Sequence, residues 1–194
     1  MAVNIIEQPE GNTVWQVTEE ILQRLSVDEV LGDLFESNEM HLDWWWDQPF
    51  FEGDEYAYAP LAFFVSASVT DIRNEASGRD RMTVQFTIYM EWRSNADSHV
   101  GALTKQSFLG FAPFYNAMHR SLQDFKSASM HTALRRVAGP INVPGIERKG
   151  VLLSTTYQCI VYDCTASPER IQAQIKELKI GGHLIEPWTP SEEE

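Results

Sequence analysis

From Arg81 to Arg93 the chain places Met82, Val84, Phe86, Ile88, Met90 and Trp92 at every second position, with Thr83, Gln85, Thr87, Tyr89 and Glu91 between them. Successive strand side chains point to opposite faces, so a period of two demands a half-buried β-strand and is incompatible with an amphipathic helix. One face packs on a core; the other is wet or covered by a partner. Leu61 to Thr70 is a nearly continuous apolar run that reads as a central strand. The linker of Asp71, Asn74, Ser77, Gly78 and Asp80 makes an antiparallel hairpin the simplest connection between the two runs.

Helical periods flank this hairpin. Val14, Val17, Ile21, Leu22 and Leu25 recur on one helical face behind a capping box of Thr13 and Gln16. A second box, Ser26 with Glu29, precedes Val27, Val30, Leu31, Leu34 and Phe35, so the helix is expected to break and restart. After the hairpin, Asp97 or Ser98 is placed to cap a helix carrying Val100, Leu103, Phe108 and Phe111. The pattern resumes with Phe114, Met118, Leu122 and Phe125, and Pro113 is expected to kink or divide it. Met130 to Val137 and Val151 to Cys164 read as two more strands around the turn-rich GPINVPGIERKG. Ser167 as cap, Pro168 at the first helical position, Ile171, Ile175 and Leu178 inside and Gly181 past the end describe a short C-terminal helix before a mobile tail, EPWTPSEEE.

The expectation is an α+β fold with an antiparallel sheet of about four strands and helices packed on one face. The expected order is helix, hairpin, helix, hairpin, plus the C-terminal helix. Residues 1–166 are read as a single domain with a long aromatic acidic loop at 38–60, and residues 167–194 as the appended helix and acidic tail.

A chain of 194 residues with 43% hydrophobic side chains can bury one compact core. Its 28 acidic and 15 basic residues give a formal charge of -13, which repels nucleic-acid backbones and anionic membranes and excludes a bulk DNA-binding role. No segment approaches the length of an apolar membrane span. The opening MAVNIIEQPEGN lacks a basic region followed by an apolar run, so no secretory signal and folding inside the cell are expected. Cys159 and Cys164 share one strand-like run. Extended chain holds their alpha carbons roughly 16 Å apart, whereas a disulfide needs less than about 7 Å. Both read as reduced, partly buried thiols.

The chain contains no G-x-S-x-G elbow, P-loop, strand-following G-x-G-x-x-G, C-x-x-C or H-E-x-x-H. His41, His99, His119, His131 and His183 are scattered, with no two at the spacing that puts two ligands on one helical face, so no metal and no cofactor is expected. His119, beside Met118 and Leu122, reads as a structural residue, and His41 with Asp43 and Asp47 would reach a cation only if its loop curled. Asp47, Glu52, Asp54 and Glu55 lie among aromatics, which leaves open a small acidic enzyme or carbohydrate-binding domain using the stretch from Trp44 to Glu55. The plain alternative is a solvated acidic loop. Arg135 with Arg136 and Arg148 with Lys149 are too sparse for a nucleic-acid patch, but suit contacts to an acidic neighbouring subunit.

Periodicity vanishes in NEMHLDWWWDQPFFEGDEYAYAP, from Asn38 to Pro60, which reads as one long loop. Loops this long are functional or disordered, and the aromatic content argues against disorder. Three consecutive tryptophans, Trp44, Trp45 and Trp46, cannot all enter one core, because neighbouring side chains diverge. Either the loop folds back over the sheet or its aromatics meet another protein. Trp44, Trp45, Trp46, Phe50, Phe51, Arg135 and Arg136 are therefore the candidate protein-contact residues.

The leading helix VWQVTEEILQRL, the strand PLAFFVSASV, the alternating MTVQFTIYMEW, the following helix SHVGALTKQSFLGF and the late strand GVLLSTTYQCIVYDC together resemble the tail-terminator and tail-completion proteins of long-tailed bacteriophages. The resemblance covers Thr13 to Cys164 and is one of element order, without a catalytic signature. It implies a non-enzymatic virion component: a homo-oligomeric ring, hexameric in such proteins, that caps the tail tube, stops its growth and presents a docking face to the head connector. The implied partners are further copies of itself, the tail-tube and head-connector proteins, and DNA that passes through the lumen without being gripped. The implied location is the tail end or neck of the virion, after assembly in the host cytoplasm. The long loop at 38–60 and the segment after Ser167 depart from the usual pattern and point to another neck or tail protein as the alternative on the same fold.

Overall fold

A computed structural model describes residues 13–47, 49, 59–75, 80–93, 105–143, 151–163, 179–180 and 183–184. The elements run α1 (Thr13–Ser26), α2 (Leu31–Glu36), β1 (Met40–Trp44), β2 (Leu61–Asn74), β3 (Asp80–Trp92), α3 (Lys105–Leu122), β4 (Arg135–Asn142) and β5 (Val151–Asp163). A further two-stranded ladder pairs β6 (Lys179–Ile180) with β7 (His183–Leu184).

The main sheet has five strands in the order β1-β2-β3-β5-β4 and is mixed. This corrects the expected four-stranded antiparallel sheet. The additional strand, β1, lies inside the stretch read as one loop and pairs in parallel with β2, Met40 opposite Leu61 and Trp44 opposite Val65. Five residues are too few for periodicity to separate from noise, but Met40, Leu42 and Trp44 do alternate, and the former two join or pack on the core. Asn38, at φ 59°, closes α2 in the left-handed region, where asparagine is tolerated, and turns the chain into β1.

β2 and β3 form the long antiparallel hairpin, with a register shift between Val69 and Asp71, and β3 pairs with β5 along its whole length. Met82, Val84, Phe86, Ile88 and Met90 of β3 join Phe63 and Val65 of β2, and Tyr157, Cys159 and Val161 of β5, in one buried cluster. Val17, Ile21 and Leu25 of α1 and Phe111, Met118 and Leu122 of α3 complete it, so both helices cover the same face. α3 runs through the exposed Pro113 as one helix, because Phe111 before the proline and Met118 and Leu122 after it enter the same core.

Other expectations shift in detail. The Thr13 hydroxyl donates to the Tyr162 carbonyl at 3.1 Å and ties α1 to β5. The Asp28 carboxylate, not Ser26, accepts the backbone N–H groups of Val30 (3.0 Å) and Leu31 (3.3 Å) at the start of α2. The penultimate strand is Arg135–Asn142 in place of Met130 to Val137, since Met130 and Leu134 are buried in a loop whose His131 N–H reaches the Ile160 carbonyl. The helix from Ser167 to Leu178 and Cys164 lie outside the described residues. No helix among the described residues is long and apolar enough to cross a membrane.

Candidate protein-contact site

The three tryptophans go to three places. Trp44, the last residue of β1, stacks on Trp15 of α1 with ring centroids 4.2 Å apart, and its indole Nε1–H donates to Glu19 Oε1 at 2.7 Å. Trp15 and Glu19 are one helical turn apart, so α1 presents an aromatic ring and a carboxylate side by side to the edge strand. Trp15 stays 57% exposed despite the stack. Trp45 continues the ladder by donating its N–H to the Val65 carbonyl at 3.0 Å, then turns to the opposite sheet face. There it stacks on Tyr89 at 3.8 Å and meets Phe64 edge-on at 6.0 Å. Trp46 is exposed, and Asp47 behind it takes a left-handed φ of 68°. Divergence along the chain thus serves both faces and the solvent. Phe50 and Phe51 lie outside the described residues, as do Glu52, Asp54 and Glu55 of the carboxylate group.

Arg135 and Arg136 are exposed at the start of β4, the other edge of the sheet. Arg135 pairs with Asp124, and Arg136 Nη1 lies 3.4 Å from the Tyr115 hydroxyl. The candidate residues therefore form two patches at opposite edges. Four inter-strand spacings of about 4.8 Å set these edges roughly 19 Å apart.

The sheet face away from the helices has its own character. Where Phe64 and Leu152 are buried it is apolar, and it also buries Glu91, with Arg93 Nε at 3.6 Å. Arg93 further donates to the Ala59 carbonyl (2.9 Å), and its backbone N–H to the Pro60 carbonyl (2.8 Å), which fastens the residues before β2 to the end of β3. In the middle of the face the side chains are uncharged. Thr87 and Thr156 hydroxyls lie 3.1 Å apart, and Gln85 Nε2 donates to Gln158 Oε1 at 3.3 Å, with Ser66, Ser68 and Ser154 beside them.

Trp15, Glu19 and Glu91 are absent from the residues that sequence reasoning selects. Trp15 carries a legible signal, an aromatic ring set off the apolar stripe of its own helix. Glu91 carries none, because burial on the polar face of an alternating strand depends on what covers that face.

Among the described residues no group of three or more His, Cys, Asp or Glu side chains gathers to hold a metal. His41 lies 3.7 Å from Asp43. His119 Nδ1 instead lies 2.8 Å from the buried Tyr157 hydroxyl, a structural role. Burial, then the nearby Arg136, lower the His119 pKa. A cavity of about 280 Å³ between α3 and β4 is lined by Phe111, Tyr115, Asn116, Pro140, Asn142 and Leu153, without the paired carboxylates that sugar cleavage needs. Compared with known proteins, the chain matches no protein-family model and has no significant match among curated proteins.

Proposed function

We propose that the chain is a virion structural protein of the tail-terminator or neck type, which closes into a ring on the tail tube, offers a docking face to the head connector and acts by assembly without catalysing a reaction. The uncharged middle of the sheet face away from the helices carries this reading. Gln85, Thr87, Thr156 and Gln158 form a hydroxyl and amide surface, bordered at the β4 edge by Arg135, which lies opposite Gln158 and is paired with Asp124, so that its middle offers a phosphate backbone neither a cation to grip nor a carboxylate to repel it. Such a surface suits a channel through which DNA slides. In this reading the excess acidic charge stands away from the DNA. The candidate contacts at both edges then face neighbouring subunits, as a cyclic, heterologous assembly requires.

The test is polymerisation of the tail-tube protein with and without this chain. Shorter tubes with a ring density on one end are expected. Tubes of unchanged length, with the chain left in the supernatant, would overturn the proposal.

A further inference from the structure

Charge is divided along the chain in a way that the overall excess of acid conceals. From Thr13 to Asp47, through α1, α2 and β1, nine carboxylates stand against Arg24 alone. From Gly110 to Val143, through most of α3 and all of β4, Arg120, Lys126, Arg135 and Arg136 stand against Asp124 alone. The fold sends the outermost strand of each region to an opposite edge of the sheet. At the acidic edge, Glu19 is held at 2.7 Å by the Trp44 indole N–H, next to the exposed face of Trp15. A fixed carboxylate beside stacked indoles is a receptor for a guanidinium, through an ion pair and a cation–π contact. At the basic edge, Arg136 is exposed on the strand, with one nitrogen 3.4 Å from the Tyr115 hydroxyl. Arginine carries five donors, so that single contact leaves most of the fork for a partner.

We infer that two copies of this chain dock head to tail, with Arg136 on the β4 edge of one copy seated against Glu19, Trp15 and Trp44 on the β1 edge of the next. This rests on the ring reading above and specifies its interface. The two patches cannot satisfy each other within one chain, because the width of the sheet separates them. They differ from each other, so after every docking event the assembly still presents one patch of each kind at its ends. Such a contact propagates until rotation closes it.

Charge reversal at each edge tests the assignment. In E19R and in R136E the contact becomes repulsive, and association is expected to weaken at least about tenfold, while far-ultraviolet circular dichroism stays that of the parent. An equimolar mixture of the two variants should assemble beyond a dimer, with the copies alternating, since the unaltered edges pair as in the parent and the two altered edges are complementary to each other. The double variant E19R/R136E, whose edges are complementary again, should recover the parental mass in light scattering. Single variants that assemble like the parent, or a double variant that fails to recover although it is folded, would overturn this interface and leave a ring built on other contacts. A parent chain that stays monomeric at high concentration, alone and with tail-tube protein, would overturn both readings.

Discussion

The Tyr157 hydroxyl of β5, fully buried under the sheet's helical layer, sits 2.8 Å from Nδ1 of His119 in α3. The contact clamps the helix that leads towards β4 to the strand that pairs with β4. Burial and Arg136 lower the His119 pKa below its ordinary 6.5, so the neutral imidazole is favoured in the fold and can accept the tyrosine proton. The unfolded chain binds a proton near 6.5 that the folded chain resists. This contribution to stability is therefore complete above about 6.5 and declines as pH falls towards the lowered folded value. Urea denaturation between pH 7.5 and 5 should show a loss of stability that shrinks in H119Q. Tyr157→Phe should cost about 1 kcal/mol at pH 7.5.

The separate settings of the tryptophans predict a graded alanine series. Trp45, stacked on Tyr89 and edged by Phe64, should cost about 2 kcal/mol on truncation. Trp46, 41% exposed, should cost under about 0.5 kcal/mol. Thermal melts of the single variants check the order, and equal effects at both positions would contradict it.

Gly139 occupies β4 with φ at 94°, and a Cβ there would meet the Ser154 carbonyl oxygen at 2.6 Å and Thr155 Cα at 2.8 Å. These are backbone atoms of the neighbouring strand and cannot turn aside. Gly139→Ala should destabilise the chain by about 1–3 kcal/mol and raise amide exchange across the β4–β5 ladder.

The Cys159 thiol is buried in the core, and burial pushes its pKa up to about 12. Since the thiolate is the reactive form, native Cys159 should resist maleimide at pH 8 and react fully in urea. Peptide mapping of the labelled sites reads the outcome.

The long elements were legible because each repeats its period many times: six alternations fix β3, and Val17, Ile21 and Leu25 fix the buried stripe of α1. β1 was not, since five residues amid tryptophans and acids carry too short an alternation, and its parallel pairing of Met40 with Leu61 is encoded by no local period. The start of β4 was displaced for a related reason. Met130 and Leu134 are as apolar as strand residues, yet they fill the core from a loop, whereas β4 itself is mostly exposed and lacks a buried face to announce it. In the candidate site, divergence of Trp44 to Trp46 followed from backbone geometry alone. The pairing of Trp44 with Trp15 and Glu19 did not, because it joins an edge strand to a helix 25 residues earlier through a contact that neither period encodes.

Assembly is the central claim, and the molar mass of the purified chain by light scattering tests it most directly, over a wide concentration range and with and without tail-tube protein. A closed ring predicts one multiple of the 22.2 kDa chain that stops growing as concentration rises, and that loses mass at high salt as the charged edges are screened. A mass fixed at that of one chain under every condition, or one that climbs without limit, would contradict it.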